Sequence, residues 1–237
     1  MVPYLKHSKL KRLPINLDGI RSQIMFTQWS FNLLTLSFLL NGLITLQTAY
    51  EENNNGQSIP LLQPLMHKVS LRCAILLFEV GAPASMLVSF VTKYALWPQS
   101  LRGPRGSVNL RKPVAIIEHN VNIIAALLEV GVLGRMPIRV EDFIIAPLYG
   151  TIYVLFMWAL KDHLADSKEP QFVYFFLDTT LGKKWAVSIL LGLLAILLFF
   201  YLVFTCLDDL LTFIGGGVKT NAIIISALAT FFCRFRD

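Results

Sequence analysis

Residues 185–207 read WAVSILLGLLAILLFFYLVFTCL, twenty-three positions without one formal charge. An α-helix rises 1.5 Å per residue, so such a run is roughly 34 Å long, enough to cross a hydrocarbon core of about 30 Å. A helix on the surface of a soluble domain would carry a polar stripe opposite its apolar one, and this run has none. It is read as a membrane span. Working outward, four more runs have comparable length and hydropathy. One lies between Arg21 and Glu51, with its apolar helix starting near Trp29. The others are Val69 to Trp97, Pro113 to Leu133 and Phe143 to Leu160. A last apolar run, Thr220 to Cys233, is too short to cross alone, and Gly215-Gly216-Gly217 before it argue against one continuous helix. The expected fold is all-α: a polytopic transmembrane helix bundle with five or six spanning helices over residues 29–237. Residues 1–28 form a basic segment, either a cytosolic tail or a stretch lying along the membrane surface.

Composition agrees. Of 237 residues, 55% are hydrophobic and 15% charged, against about a quarter charged in soluble domains. The net charge of +6 does not indicate nucleic-acid binding, because the basic residues sit at the ends of apolar runs and form no continuous face for phosphates. Cys73, Cys206 and Cys233 are too scattered for a metal site or a disulfide framework, so no metal and no cofactor is expected. Lys6, Lys9, Lys11, Arg12 and Arg21 interrupt the start of the chain, which therefore lacks the apolar core of a cleavable signal.

Orientation follows from the loops. Fourteen Lys and Arg fall in the N-terminal segment, the loop between runs two and three and the loop between runs four and five. The two remaining loops hold four: Lys68, Arg72, Arg135 and Arg139. The positive-inside rule then puts the N-terminus in the cytosol. The endoplasmic reticulum is the expected membrane for a short-loop protein of this kind.

Ionisable groups inside spans are costly and are functional candidates by default. Run two contains Glu79. Run three contains Glu118, His119, Asn122 and Glu129, of which Glu118, Asn122 and Glu129 share one helical stripe. Run one contains Asn32, Thr35 and Asn41. Counted from Trp29 and Pro113, Thr35 and His119 each lie six residues inside, about 9 Å, which predicts a matched depth under one leaflet. An imidazole there could take the proton of a threonine hydroxyl and make it a nucleophile. Against this, a threonine in a membrane helix commonly bonds its own backbone carbonyl, and a lone buried histidine is commonly structural.

Four segments resemble the androgen-induced membrane protein family. Phe31-Asn32-Leu33-Leu34-Thr35 is similar to its aromatic-x-x-Leu-Thr segment, and Phe78-Glu79-Val80-Gly81 to its Phe-x-Val-Gly segment. The stretch from Ile117-Glu118-His119 to Glu129 resembles its His-bearing helix, and Tyr174-Phe175-Phe176-Leu177-Asp178 its Tyr-Pro-Phe-Leu-Glu segment. The order holds from about Gln28 to Asp208. Ile116 stands where the family carries a second histidine. The resemblance implies an integral membrane threonine hydrolase of fatty-acid esters of hydroxy fatty acids, with Thr35 as nucleophile and His119 as base. Asn32, Asn122 and Glu118 are the polar groups expected to bind substrate or orient the ring. The partners are then membrane lipids and a lipid ester. Two other readings stay open. One is a carrier using Glu79, Glu118, His119 and Glu129 as a polar path. The other is a non-catalytic scaffold, packed through small residues such as Gly81 to Ser85 and Ala125-Ala126.

Overall fold

The computed structural model describes residues 23–54, 59, 68–102, 106–133, 136–164, 174–178, 183–215 and 217–237. The basic residues of positions 1–22, and Arg105, Arg135 and Lys168, lie outside them. Six helices carry the architecture: α1 (Phe26–Asn53), α2 (Lys68–Leu101), α3 (Pro113–Gly131), α4 (Ile145–Leu164), α5 (Lys183–Ile214) and α6 (Gly217–Phe232). The described residues contain no strand. Helices α1 to α5 are each long and apolar enough to cross a membrane. The chain is an integral membrane helix bundle, and α1 starts three residues before the expected Trp29.

The helix at the centre is α2. Phe78 to Ser89 are twelve consecutive buried residues, so this stretch is enclosed on all sides. All five other helices touch it. A helix so surrounded needs small side chains where its neighbours cross closely. A Cβ built on Gly81 would sit 2.9 Å from Leu34 Cγ and 3.2 Å from the Leu34 backbone nitrogen of α1. The side chain could turn away, but the backbone nitrogen moves only with the whole of α1. Overpacking of this sort costs about 1–3 kcal/mol. Gly81→Val is expected to lower the melting temperature in detergent, with partial recovery in Gly81→Val/Leu34→Ala. A melting temperature equal to wild type would show that the crossing is not tight. The run Gly81 to Ser85 is thus consumed inside the chain and leaves no small-residue face for a partner helix.

The helices alternate in direction. Leu34 abuts Gly81, Ser37 Oγ donates to Ala74 O at 2.7 Å, and Tyr153 OH on α4 donates to Ile24 O at 2.9 Å. Trp29 packs edge-on against Tyr153, and Trp158 Nε1 donates to Leu177 O. The start of α1, the end of α2, the start of α3 and the end of α4 therefore share one end of the bundle, called here the basic end because its loops hold most of the Lys and Arg. The far end holds the α3–α4 connection and the α5–α6 turn.

The last apolar run forms its own helix. Gly215 and Gly217 have φ of +59° and +69°, a region that favours glycine, and they break α5 from α6. Helix α6 then returns along α3: Asn221 Nδ2 donates to Gly131 O at 2.8 Å, and Asn120 pairs with Arg234. Its sixteen residues bring the chain back to the basic end. Helix α5 packs into the bundle core. Leu197, Phe200, Tyr201, Phe204, Leu207 and Leu211 are buried in the core.

Candidate functional site

Helix α1 carries Thr35 on an exposed flank. Leu34 is buried against α2, and Phe26 and Trp29 face the aromatic rings of α4. At 100° per residue, Thr35 points away from the α4 side. Its neighbour on that flank, Phe38, reaches Phe78 in the core. Helix α3 also borders α1. Among the described residues, five of the nine other helical threonines, Thr45, Thr48, Thr151, Thr205 and Thr230, give the hydroxyl to the carbonyl four residues earlier. Thr35 is absent from that pattern, and among the described residues its hydroxyl has no hydrogen-bond partner. Its hydroxyl is unspent.

His119 lies in a widened turn. Residues Ile117–Val121 form a π-helical turn within α3, with Asn122 N–H bonded to Ile117 O. Such turns interrupt regular α-helix and recur at functional sites. The ring is half-buried, and its Nδ1 is buried without a hydrogen-bond partner. The His119 carbonyl accepts from Ser89 Oγ of α2. That contact fixes the relative depth of the two candidates. Leu34 abuts Gly81, whereas His119 is tied to Ser89, eight residues and about 12 Å along α2 toward the basic end. The matched depth expected from the sequence is not what the structure holds. Helix α1 begins earlier than its apolar pattern suggested, and α3 spends extra residues in its π turn. Thr35 and His119 stand on neighbouring helices with no hydrogen bond between them.

The supporting residues divide. Asn122 is buried, and its amide nitrogen has no partner, so it is available one turn from His119. Glu129 is buried and Glu118 half-buried, in keeping with the expected stripe. Asn32 is exposed and engaged at the basic end, donating to Gln23 Oε1 at 3.1 Å and accepting from Gln28 Nε2 at 3.3 Å. No group of three or more His, Cys, Asp or Glu placed to hold a metal occurs among the described residues. An apolar groove of about 250 Å³ lies between α1, α2 and α4, lined by Leu33, Leu76, Val80, Ile145, Leu148 and Tyr149. Leu33 is two residues, or 200° of helix, from Thr35, so the groove opens on the opposite flank of α1.

Glu79 has a different role from the one its position in a span suggested. Residues 136–139 are non-helical backbone, with Arg139 extended and Met136 and Ile138 buried. This piece is inserted into the bundle: Ser37 Oγ reaches Met136 Sδ at 3.7 Å, and Glu79 lies eleven residues inside the start of α2. Non-helical backbone at such depth is tolerated only where protein satisfies its polar groups. Here Arg139 N–H donates to Glu79 Oε1 at 2.8 Å, and Tyr201 OH donates to Arg139 O at 2.6 Å. Arg72 and Arg139 complete a neutral quartet with Glu79 and Asp142, the closest contacts being Arg72 Nη2 to Asp142 at 2.6 Å and Arg139 Nη2 to Asp142 at 2.9 Å. Nothing in the spacing of residues 136–142 announced the insertion. The one signal was an acid inside run two with Arg72 seven residues before it.

Comparison with models of known protein families gave no match, and neither did searches of curated proteins and of solved structures.

Proposed function

We propose that this protein is an intramembrane hydrolase of lipid esters, with fatty-acid esters of hydroxy fatty acids as its substrate class, Thr35 as nucleophile and His119 as base. The observation that carries the reading is the Thr35 hydroxyl, which donates to no described group, on a helix that borders the π turn whose His119 Nδ1 is also unpartnered. Thr35 Oγ attacks the ester carbonyl carbon and His119 receives its proton. The proton then leaves with the departing hydroxy fatty acid. Water attacks the acyl-threonine, His119 takes its proton and returns it to Thr35 Oγ as the bond to the acyl carbon breaks, and the free acid departs. The two side chains, at levels about 12 Å apart along α2, must approach one another as the ester binds for the proton to pass. Asn122, buried and one turn from His119, orients the ring or meets the oxyanion. The basic end faces the cytosol, in the membrane of the endoplasmic reticulum.

Two observations weigh against the rival readings. Glu79 belongs to the quartet that secures residues 136–142, and fully buried Ile123, Ala126 and Leu127 occupy α3 between His119 and Glu129, so a carrier's line of ionisable groups is interrupted. The small residues that would suit a scaffold are packed internally. The test is a long-chain alkyl fluorophosphonate added to the detergent-purified protein, with the adduct located by peptide mass spectrometry. An adduct on the peptide bearing Thr35, absent in His119→Ala, is expected. An adduct on another hydroxyl that blocks turnover would sink the assignment.

A further inference from the structure

At the basic end, the segment Cys233–Asp237 leaves α6 and folds back over the bundle. Asn120, next to His119 in the π turn, is paired twice with its backbone. Asn120 Nδ2 donates to Arg234 O and Arg234 N–H donates to Asn120 Oδ1, both at 2.9 Å. Asn120 is 3% exposed, and a buried amide of this kind is held only if both its polar atoms are used. Cys233 Sγ lies 3.6 Å from Asn120 O. The other end of the segment is fastened separately. Asp237 Oδ1 accepts from Trp97 Nε1 at 3.0 Å and from Ser107 Oγ, and Arg111 lies 3.7 Å from Oδ2. The Arg234 guanidinium covers the Trp97 ring at 5.2 Å. Lys93 and Tyr94, from the π turn Thr92–Leu96 of α2, bond the Thr230 and Phe231 carbonyls at the end of α6. Both π turns among the described residues are thus spent on receiving α6 and the segment after it.

We propose that Cys233–Asp237 is a strap whose docking sets the π turn of α3, and that Asn120 is the positioning residue through which the strap fixes His119. The second half of the statement rests on the hydrolase reading; the docking itself does not. The Ser107 hydroxyl, then Trp97, Arg111 and Arg234, hold the Asp237 carboxyl below its ordinary value. A depressed carboxylate contributes above its unfolded pKa, and the contribution is lost as pH falls through the folded value. The strap is therefore fastened across the neutral range.

The experiment uses the full chain with Cys73→Ala and Cys206→Ala, the two exposed thiols. Maleimide labelling of Cys233 reports strap opening, and diethyl pyrocarbonate modification of His119, read by mass spectrometry, reports the π turn without any need for turnover. Asp237→Ala and Ser107→Ala loosen the far fastening without touching α3. Each is expected to raise both rates together by at least about tenfold, as a local opening would, and to lower kcat with KM little changed. Asn120→Ala is expected to do the same, and Asn120→Asp, which still accepts from Arg234 N–H, less. Cys233 labelled in the parent protein as fast as in denaturant would overturn the strap. Cys233 freed with the His119 rate and kcat unchanged would overturn the coupling. Absent turnover in every protein, with the two rates still rising together, would sink the hydrolase reading and leave the strap standing.

Discussion

Thr35→Ala is expected to cut turnover of a hydroxy-fatty-acid ester roughly a thousandfold or more, the scale on which nucleophile loss is read in dyad and triad hydrolases, while leaving thermal stability unchanged. The separation of the two effects comes from the structure. Thr35 is exposed, and among the described residues it donates to no group and supports no backbone carbonyl. Its truncation leaves no buried group unpaired and opens no cavity, and such surface changes usually stay within about 0.5 kcal/mol. Ser37 on the same helix cannot replace it, because its hydroxyl is committed to Ala74 O. Thr35→Ser, which restores a hydroxyl, should recover most of the turnover. His119→Ala should fall as far as Thr35→Ala, and the double variant no further, because members of one catalytic unit are not additive. Measured kcat values that multiply in the double variant would show two independent contributions and break the dyad. Turnover that survives both single changes would remove the site.

The sequence made the span count and the helix break legible because both rest on local rules. An uncharged run of 23 residues has one stable state in a bilayer, and glycine at positive φ ends a helix wherever it occurs. The Glu118–Asn122–Glu129 stripe was legible as a set of spacings, but the π turn at Ile117–Val121 interrupts the 3.6 periodicity, and Glu118 is half-buried where Asn122 and Glu129 are buried. What stayed hidden depends on contacts across the chain. The depth of Thr35 relative to His119 depends on where α1 meets Gly81 and where α3 meets Ser89. No count from a helix start carries that information. The π turns at Thr92–Leu96 and Ile117–Val121 have no compositional mark, since their cause is the docking of α6 and Cys233–Asp237 more than a hundred residues away. Asn120 was passed over beside His119 because its partner is a backbone, and backbones have no sequence signature. Glu79 was visible as an intramembrane acid, but its meaning required the inserted segment of residues 136–139.

Glu79→Ala is the change expected to cost the fold most, and it separates a structural acid from a functional one. Glu79 is fully buried and supplies the acceptor for Arg139 N–H. Pro83, four residues on, gives no N–H to the Glu79 carbonyl, so α2 is already short of one helical bond at this level. Removing the carboxylate would strand the Arg139 amide, leave two guanidiniums against one remaining acid, and open a void beside Tyr201. Breaking a buried pair by deleting one partner costs about 3–5 kcal/mol. Arg72 and Arg139 are 37% and 40% exposed and can turn partly toward solvent, which places the expected loss near the bottom of that range, about 3 kcal/mol. Glu79→Gln keeps an acceptor for the amide and should cost less, about 1–2 kcal/mol. Tyr201→Phe, which removes only the bond to Arg139 O, should cost about 1 kcal/mol. Thermal unfolding in detergent, followed by size-exclusion, would rank the three. The same order should appear as lost folded protein with kcat per folded molecule preserved, since the quartet lies at the far end from His119. A Glu79→Ala protein as stable as wild type but unable to move a solute across liposomes would reverse the argument. Glu79 would then be spending its burial on transport, and the insertion of residues 136–142 would need another anchor.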